Sequence, residues 1–208
     1  MTGQRGSGAG SAVAFDLDMT LVDTRPGIRA ALLAFAEETG RPIDAEAIVS
    51  ALGPPVAQAL SPWFAADELP AAVARFREHM AAVGVMNVDA LPGAVELTDA
   101  VRAAGFRIVV VTAKIEPLAR ATLMHAGLAA DLVYGDVWAE RKAVPLTASG
   151  AIAFVGDHPA DMLAACTARI PGYGVTSGSS SADELSAAGA SYVVPSLRDL
   201  IGRIPEGN

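Results

Sequence analysis

Six short apolar runs that do not alternate with polar residues constrain this chain most: "AVAF" (12–15), "FRIVVVT" (106–112), "DLVY" (131–134), "AIAFVG" (151–156), "GYGVT" (172–176) and "SYVVP" (191–195). A strand with one wet face alternates apolar and polar residues, so unbroken runs of this kind fit strands covered on both sides, as in a parallel sheet. Helical patterns lie between them. "PGAVELTDAVRAAG" (92–105) opens with Pro and closes on Gly105, and "IEPLARATLMHAG" (115–127) again ends on Gly. "PADMLAACTA" (159–168) and "SADELSAAG" (181–189) follow. From residue 91 onward the alternation of helix and strand predicts an α/β fold, a doubly wound, Rossmann-like parallel sheet.

Residues 24–90 break that rhythm. "RPGIRAALLAFAEETG", "DAEAIVSALG" and "DELPAAVARFREHMAAVG" read as helices, with no convincing strand between them. An ordinary connection is about 2–6 residues long, so this block is expected to be a separate helical lobe. "VDALPGA" (88–94) serves as its return hinge, and the core comprises residues 12–23 and 91–208. Residues 1–11 read as a mobile tail. The "GSGAGS" within them precedes the first strand, whereas a phosphate-binding glycine loop follows one.

Ligands of open parallel sheets collect at the carboxyl ends of the strands. There stand Asp16, Asp18 and Thr20 after the first run, "TAK" (112–114) after the second, and "GDHPAD" (156–161) after the fourth; Lys142 lies just upstream of that fourth run. Taken singly, each acid reads as a helix cap or turn former, and each lysine as a solvated charge. Four carboxylates on one rim would repel one another unless a cation joined them, and their hard oxygen donors suit Mg²⁺. The single cysteine, Cys166, reads as a small core residue in a helix.

Net charge narrows the partners. With 15 Lys plus Arg against 23 Asp plus Glu, the formal charge is -8, which disfavours nucleic acid as a partner. One cysteine permits no internal disulfide and suits a reducing, cytoplasmic setting. No leader or membrane-spanning run is evident, so a membrane partner is not expected, and the chain is expected to act as a monomer or homodimer.

With these residues in place, a family resemblance emerges. "DLDMTLVDT" resembles the D-x-D-x-T motif of the haloacid dehalogenase (HAD) superfamily. "VVVTAK" is similar to its second motif, Lys142 to its third and "FVGDHPAD" to its G-D-x-x-x-D motif. The resemblance spans residues 13 to about 176 and implies that the helical lobe is a small α-helical cap domain. It further implies an Mg²⁺-dependent phosphatase acting on a small-molecule phosphate ester, similar to phosphoglycolate phosphatase. Asp16 would be the nucleophile that becomes a phosphoaspartate, and Asp18 the general acid and base. Asp16, the Asp18 carbonyl, Asp157 and Asp161 would hold the metal, while Thr112, the backbone at Ala113, and Lys142 would bind the phosphoryl oxygens.

Lys142 is preferred to Lys114 for that last role, although the Pro that often follows the motif's lysine is absent from "RKAVP". Met19 stands where the family commonly has Gly or Ser; since Ser is tolerated there, no glycine-only backbone angle is expected. The second acid, Asp18, favours phosphoryl transfer over dehalogenation, because a departing halide needs no proton. A sugar phosphomutase of the same superfamily and a non-enzymatic phosphoacceptor resembling a receiver domain are the alternatives. Arg25 and the loop glycine Gly53, in "SALGPPV" (50–56), are candidates to meet the substrate. His79, His125, Trp63 and Phe64 are expected to pack or face solvent rather than bind a ligand.

Overall fold

The computed structural model describes residues 10–204. The expected tail therefore lies outside the described residues except for Gly10 and Ser11. Six strands form one parallel sheet: β1 (Ala12–Phe15), β4 (Arg107–Val111), β5 (Leu132–Tyr134), β6 (Ala151–Gly156), β7 (Gly172–Val175) and β8 (Tyr192–Val194). Their spatial order is β5-β4-β1-β6-β7-β8, and every neighbouring pair is parallel. The chain thus builds outward from β1 on one side and then crosses to the other. A crevice at the carboxyl end of β1 is the consequence.

The sheet explains the missing alternation. Val13 and Phe15 of β1 enter one apolar cluster, with Leu97, Val101, Ile108 and Val110, while Ala12 and Ala14 enter another, with Val109, Val111, Phe154 and Ala164. Successive side chains point to opposite faces, and both faces are covered, so both kinds of position must be apolar. The covering helices are α5 (Ala94–Ala103), α6 (Glu116–His125), α7 (Ala143–Ala148), α8 (Pro159–Ala168) and α9 (Ala182–Ala187). Cys166 differs from the expectation: it is exposed. The buried side of α8 runs through Ala160, Asp161, Met162, Ala164 and Ala165, which turns Cys166 outward.

Residues 25–87 hold only helices and turns. These are α1 (Arg25–Thr39), α2 (Ala45–Ser50), α3 (Val56–Leu60) and α4 (Leu69–His79), the last continuing as a π-helical turn (Met80–Gly84) and a 3₁₀ turn (Val85–Asn87). They share an apolar cluster that includes Leu32, Phe35, Leu60, Val73, Phe76 and Met80, joined by Leu118 of α6. Trp63 and Phe64 pack against it, with the Phe64 and Phe35 rings 5.5 Å apart. Where the chain leaves and re-enters the sheet layer, β2 (Val22–Asp23) and β3 (Asp89–Ala90) form a two-residue antiparallel ribbon. No helix of the described residues is long and apolar enough to cross a membrane.

Candidate active site

Three strand ends deliver the rim. Asp16 follows β1 directly, Thr112 follows β4 and Asp157 follows β6. Asp161 lies in the first turn of α8, whose start is fixed reciprocally: His158 Nδ1 accepts from the Ala160 N–H at 3.1 Å, and Asp161 Oδ2 accepts from the His158 N–H at 3.2 Å. Oxygens of Asp16, Asp157 and Asp161 lie within 4.8 Å of one another.

Lys142 enters this group from the other side. It ends a 3₁₀ turn (Ala139–Lys142), and its side chain is 1% exposed. Its Nζ lies 2.9 Å from Asp16 Oδ1 and 2.7 Å from Asp161 Oδ1, with the Phe154 ring centroid 5.6 Å away and that of Trp138 5.9 Å away. Burial, the largest influence on it, favours the neutral amine; Asp16 and Asp161 together outweigh burial and hold the lysine above its ordinary range. Lys114 sits elsewhere, paired with the Asp18 carboxylate. The two lysines thus serve different acids.

One cation is not enough for the buried acids. Burial pushes Asp16 up to about 7, the charges of Asp161 and Asp18 add to that, and Lys142 opposes it. Asp157 is raised well above the ordinary carboxylate range, first by burial and then by Asp16 and Asp161, even though Thr20 Oγ1 donates to it at 2.7 Å. Asp16 Oδ1 is buried and makes no aligned hydrogen bond despite the nearby lysine. Hard oxygen donors, an orphaned carboxylate oxygen and four acids facing two lysines fit a divalent cation. Asp161 already engages both oxygens, with Lys142 and with the His158 N–H, which leaves Asp16 and Asp157 the freer carboxylate donors.

Thr112 is 1% exposed, and its Oγ1 accepts from the Lys114 N–H at 3.2 Å; Ala113 beside it is half-buried. Asp16, Asp18, Thr112, Ala113, Lys114, Lys142, Asp157 and Gly53 all line one cavity. Asp161 lies behind it. Arg25 does not reach this cavity: it is half-exposed and bound to Asp23 at 2.7 Å. Gly53 does, with φ +142°, and a Cβ there would fall 2.9 Å from His158 Cδ2. Only glycine fits this approach of the helical block to the rim.

Met19 corrects an expectation. Its φ is +60°, the left-handed region, and its side chain is buried. The turn is fixed by the Met19 N–H donating to Val22 O at 2.8 Å and by Ser177 Oγ donating to Met19 O at 2.5 Å. A glycine-type angle is therefore present, occupied by Met. Ser177 and Gly178 were also not singled out from the sequence, although they follow β7 and the strand-end rule applied to them equally. A Cβ on Gly178 would lie 2.0 Å from Asp157 Oδ2, so its bareness makes room for that carboxylate. Trp138, 5.1 Å from the His158 ring, is a further lining residue that no sequence pattern marked.

Comparison with known proteins follows the same residues. The family model described as haloacid dehalogenase-like hydrolase matches residues 13–165, and a second, HAD-hydrolase-like model matches residues 138–200. Phosphoglycolate phosphatase of Rhodospirillum rubrum is 36% identical over 185 aligned residues, covering 77% of each chain. The phosphoglycolate phosphatase of Caulobacter vibrioides is 31% identical, covering 92% of this chain and 89% of its own. Among solved structures, a haloacid dehalogenase-like family hydrolase of Streptococcus pneumoniae superposes with a TM-score of 0.80 at 23% identity, covering 94% of this chain and 98% of the other.

Proposed function

The chain belongs to the haloacid dehalogenase-like hydrolases, and we propose that it is a phosphatase that cleaves a small-molecule phosphomonoester through a phosphoaspartate on Asp16. The observation that carries this reading is Asp16 itself: a buried carboxylate at the carboxyl end of β1, 2.9 Å from Lys142 and within the Asp157–Asp161 group. Asp16 attacks phosphorus, and the bond from phosphorus to the ester oxygen breaks. Asp18 gives that oxygen a proton so that it leaves as an alcohol, and Lys114 steadies the resulting carboxylate. Asp18 then takes a proton from water, whose oxygen attacks phosphorus. The bond to Asp16 breaks, and inorganic phosphate departs with Asp16 regenerated.

Thr112, the backbone at Ala113, and Lys142 bind the phosphoryl oxygens. Asp161 keeps Lys142 in position. Mg²⁺ would be held by Asp16, the Asp18 carbonyl, Asp157 and Asp161 and would supply positive charge that offsets the repulsion between carboxylate and phosphate. Residues 24–90 act as the cap over this rim, with residues 12–23 and 91–208 as the core. The relatives are named as phosphatases, which favours hydrolysis over the mutase and phosphoacceptor alternatives. The test is phosphate release from 4-nitrophenyl phosphate with and without Mg²⁺: release that depends on the metal and is lost in Asp16→Asn supports the reading. Full release by Asp16→Asn refutes it.

A further inference from the structure

The cavity above the rim has a second wall that phosphoryl chemistry does not use. Its volume is about 110 Å³, and besides the carboxylates and lysines it is lined by Ile28, Ile48, Leu52 and Val56 from the helical block and by Ile115 and Trp138 from the core. All six are only partly buried: Ile28, Ile48, Val56 and Ile115 pack in part against the helical block's apolar cluster, and all six leave apolar surface lining the cavity. That wall is where the part of the ester beyond its phosphate must lie.

Each basic side chain lining the cavity faces an acid. Among its described residues the Lys and Arg side chains are Lys114, Lys142 and Arg77. Lys114 is paired with Asp18 and Lys142 with Asp16 and Asp161, while Arg77 and Asp136, 3.5 Å apart, form a weak pair open to solvent. His158 uses Nδ1 as the α8 cap. Against Ile28, Ile48, Leu52, Val56, Ile115 and Trp138 a leaving-group carboxylate would shed its water onto hydrocarbon, which is costly. An apolar leaving group would shed its water against the same surface, a gain.

We propose that the ester this site takes has a compact, uncharged, apolar leaving group, a short alkyl chain or a single ring. The cavity opens to solvent and must also hold the phosphoryl group, so its volume of about 110 Å³ favours a compact leaving group without setting a sharp limit. The proposal rests on the phosphatase reading for its chemistry, but the wall's preference can be read without turnover.

The experiment compares kcat/KM with Mg²⁺ for ethyl, propyl, butyl and benzyl phosphate and for 2-phosphoglycolate. These are all esters of unactivated alcohols, which keeps leaving-group acidity from dominating. Each added methylene from ethyl to butyl is expected to raise kcat/KM about fourfold, and benzyl phosphate is expected to exceed 2-phosphoglycolate by at least about tenfold. Ile48→Lys, which places a cation in the wall, is expected to shift that ratio toward 2-phosphoglycolate, a change that misfolding does not mimic. A flat alkyl series, or wild-type preference for 2-phosphoglycolate, overturns the proposal while leaving the phosphatase reading intact. In parallel, thermal shifts are measured with benzylphosphonate and phosphonoacetate, neither of which can be hydrolysed. A larger shift with benzylphosphonate but no turnover of any ester would refute the phosphatase reading and uphold the apolar wall; a larger shift with phosphonoacetate would overturn the wall's assignment.

Discussion

Replacing Lys142 by Met tests the balance of charge inside the site. Met keeps an unbranched chain that can pack against the Phe154 and Trp138 rings, so the change removes charge with little loss of volume. Lys142 is 1% exposed and lies 2.9 Å from Asp16 and 2.7 Å from Asp161, both of which lose a cation when it goes. Removing one partner of a buried ion pair costs about 3–5 kcal/mol. At about 2–4 °C per kcal/mol for a chain of this size, the metal-free Tm should fall by roughly 6–20 °C at pH 8.

The deficit depends on pH in a defined direction. Asp16 is pushed up to about 7 even with Lys142 present, and loss of the lysine raises it further. An acid whose folded pKa is raised contributes stability that is fully present below its unfolded value and lost as pH rises through the folded one. Thermal unfolding followed by circular dichroism in EDTA should therefore show a smaller gap between variant and wild type at pH 5 than at pH 8. An equal gap at both pH values, or a gap under about 1 kcal/mol at pH 8, would mean that Lys142 does not compensate the buried acids.

Three further outcomes follow from the same geometry. Mg²⁺ should raise the wild-type Tm more at pH 8 than at pH 5, because protons compete for Asp16 and Asp157 at the lower pH; calorimetry with and without the metal checks this, and a larger shift at pH 5 contradicts it. Gly178→Ala places a Cβ where Asp157 Oδ2 now lies, so the Mg²⁺ concentration for half-maximal activity should rise about 10–100-fold; an unchanged metal requirement would show that Asp157 is not set by this contact. Met19→Gly relieves a left-handed angle worth about 1 kcal/mol but removes a buried side chain worth about 2–5, so urea unfolding should show a net loss of roughly 1–4 kcal/mol; a stabilised variant would mean the strain outweighs the packing.

Sheet and rim were legible in the sequence for a common reason. Strands such as β1, with all four residues buried, are apolar throughout, and their ends mark where polar chemistry begins. Asp16, Thr112 and Asp157 could be placed together from that rule alone, because each stands directly after its strand. The helical block was legible through its length and lack of strands. Less visible were α3 and α7. The first follows Pro54 and Pro55, the second carries Pro145, and both are short enough that their apolar spacing gives little periodicity.

What the sequence did not disclose depends on tertiary approach. The meeting of Gly53 with His158, the space that Gly178 leaves for Asp157 and the Arg77–Asp136 pair join segments far apart in the chain. Arg25 is the exception: its partner Asp23 lies only two residues away, a local pair that the sequence does offer. Met19 was discounted because the residue type said nothing of its φ, whereas the hydrogen bonds at Val22 and Ser177 fix the turn.

Acid-quenched mass spectrometry of Asp18→Asn, mixed with Mg²⁺ and 4-nitrophenyl phosphate, whose nitrophenolate leaves without needing a proton from residue 18, tests the central claim most directly. Without a base at position 18 the second step slows, so the peptide containing Asp16 should gain the mass of one phosphoryl group, and the adduct should vanish in the double variant that also carries Asp16→Asn. Phosphate release by Asp18→Asn with no adduct on that peptide, or an adduct that survives the loss of Asp16, would contradict the account.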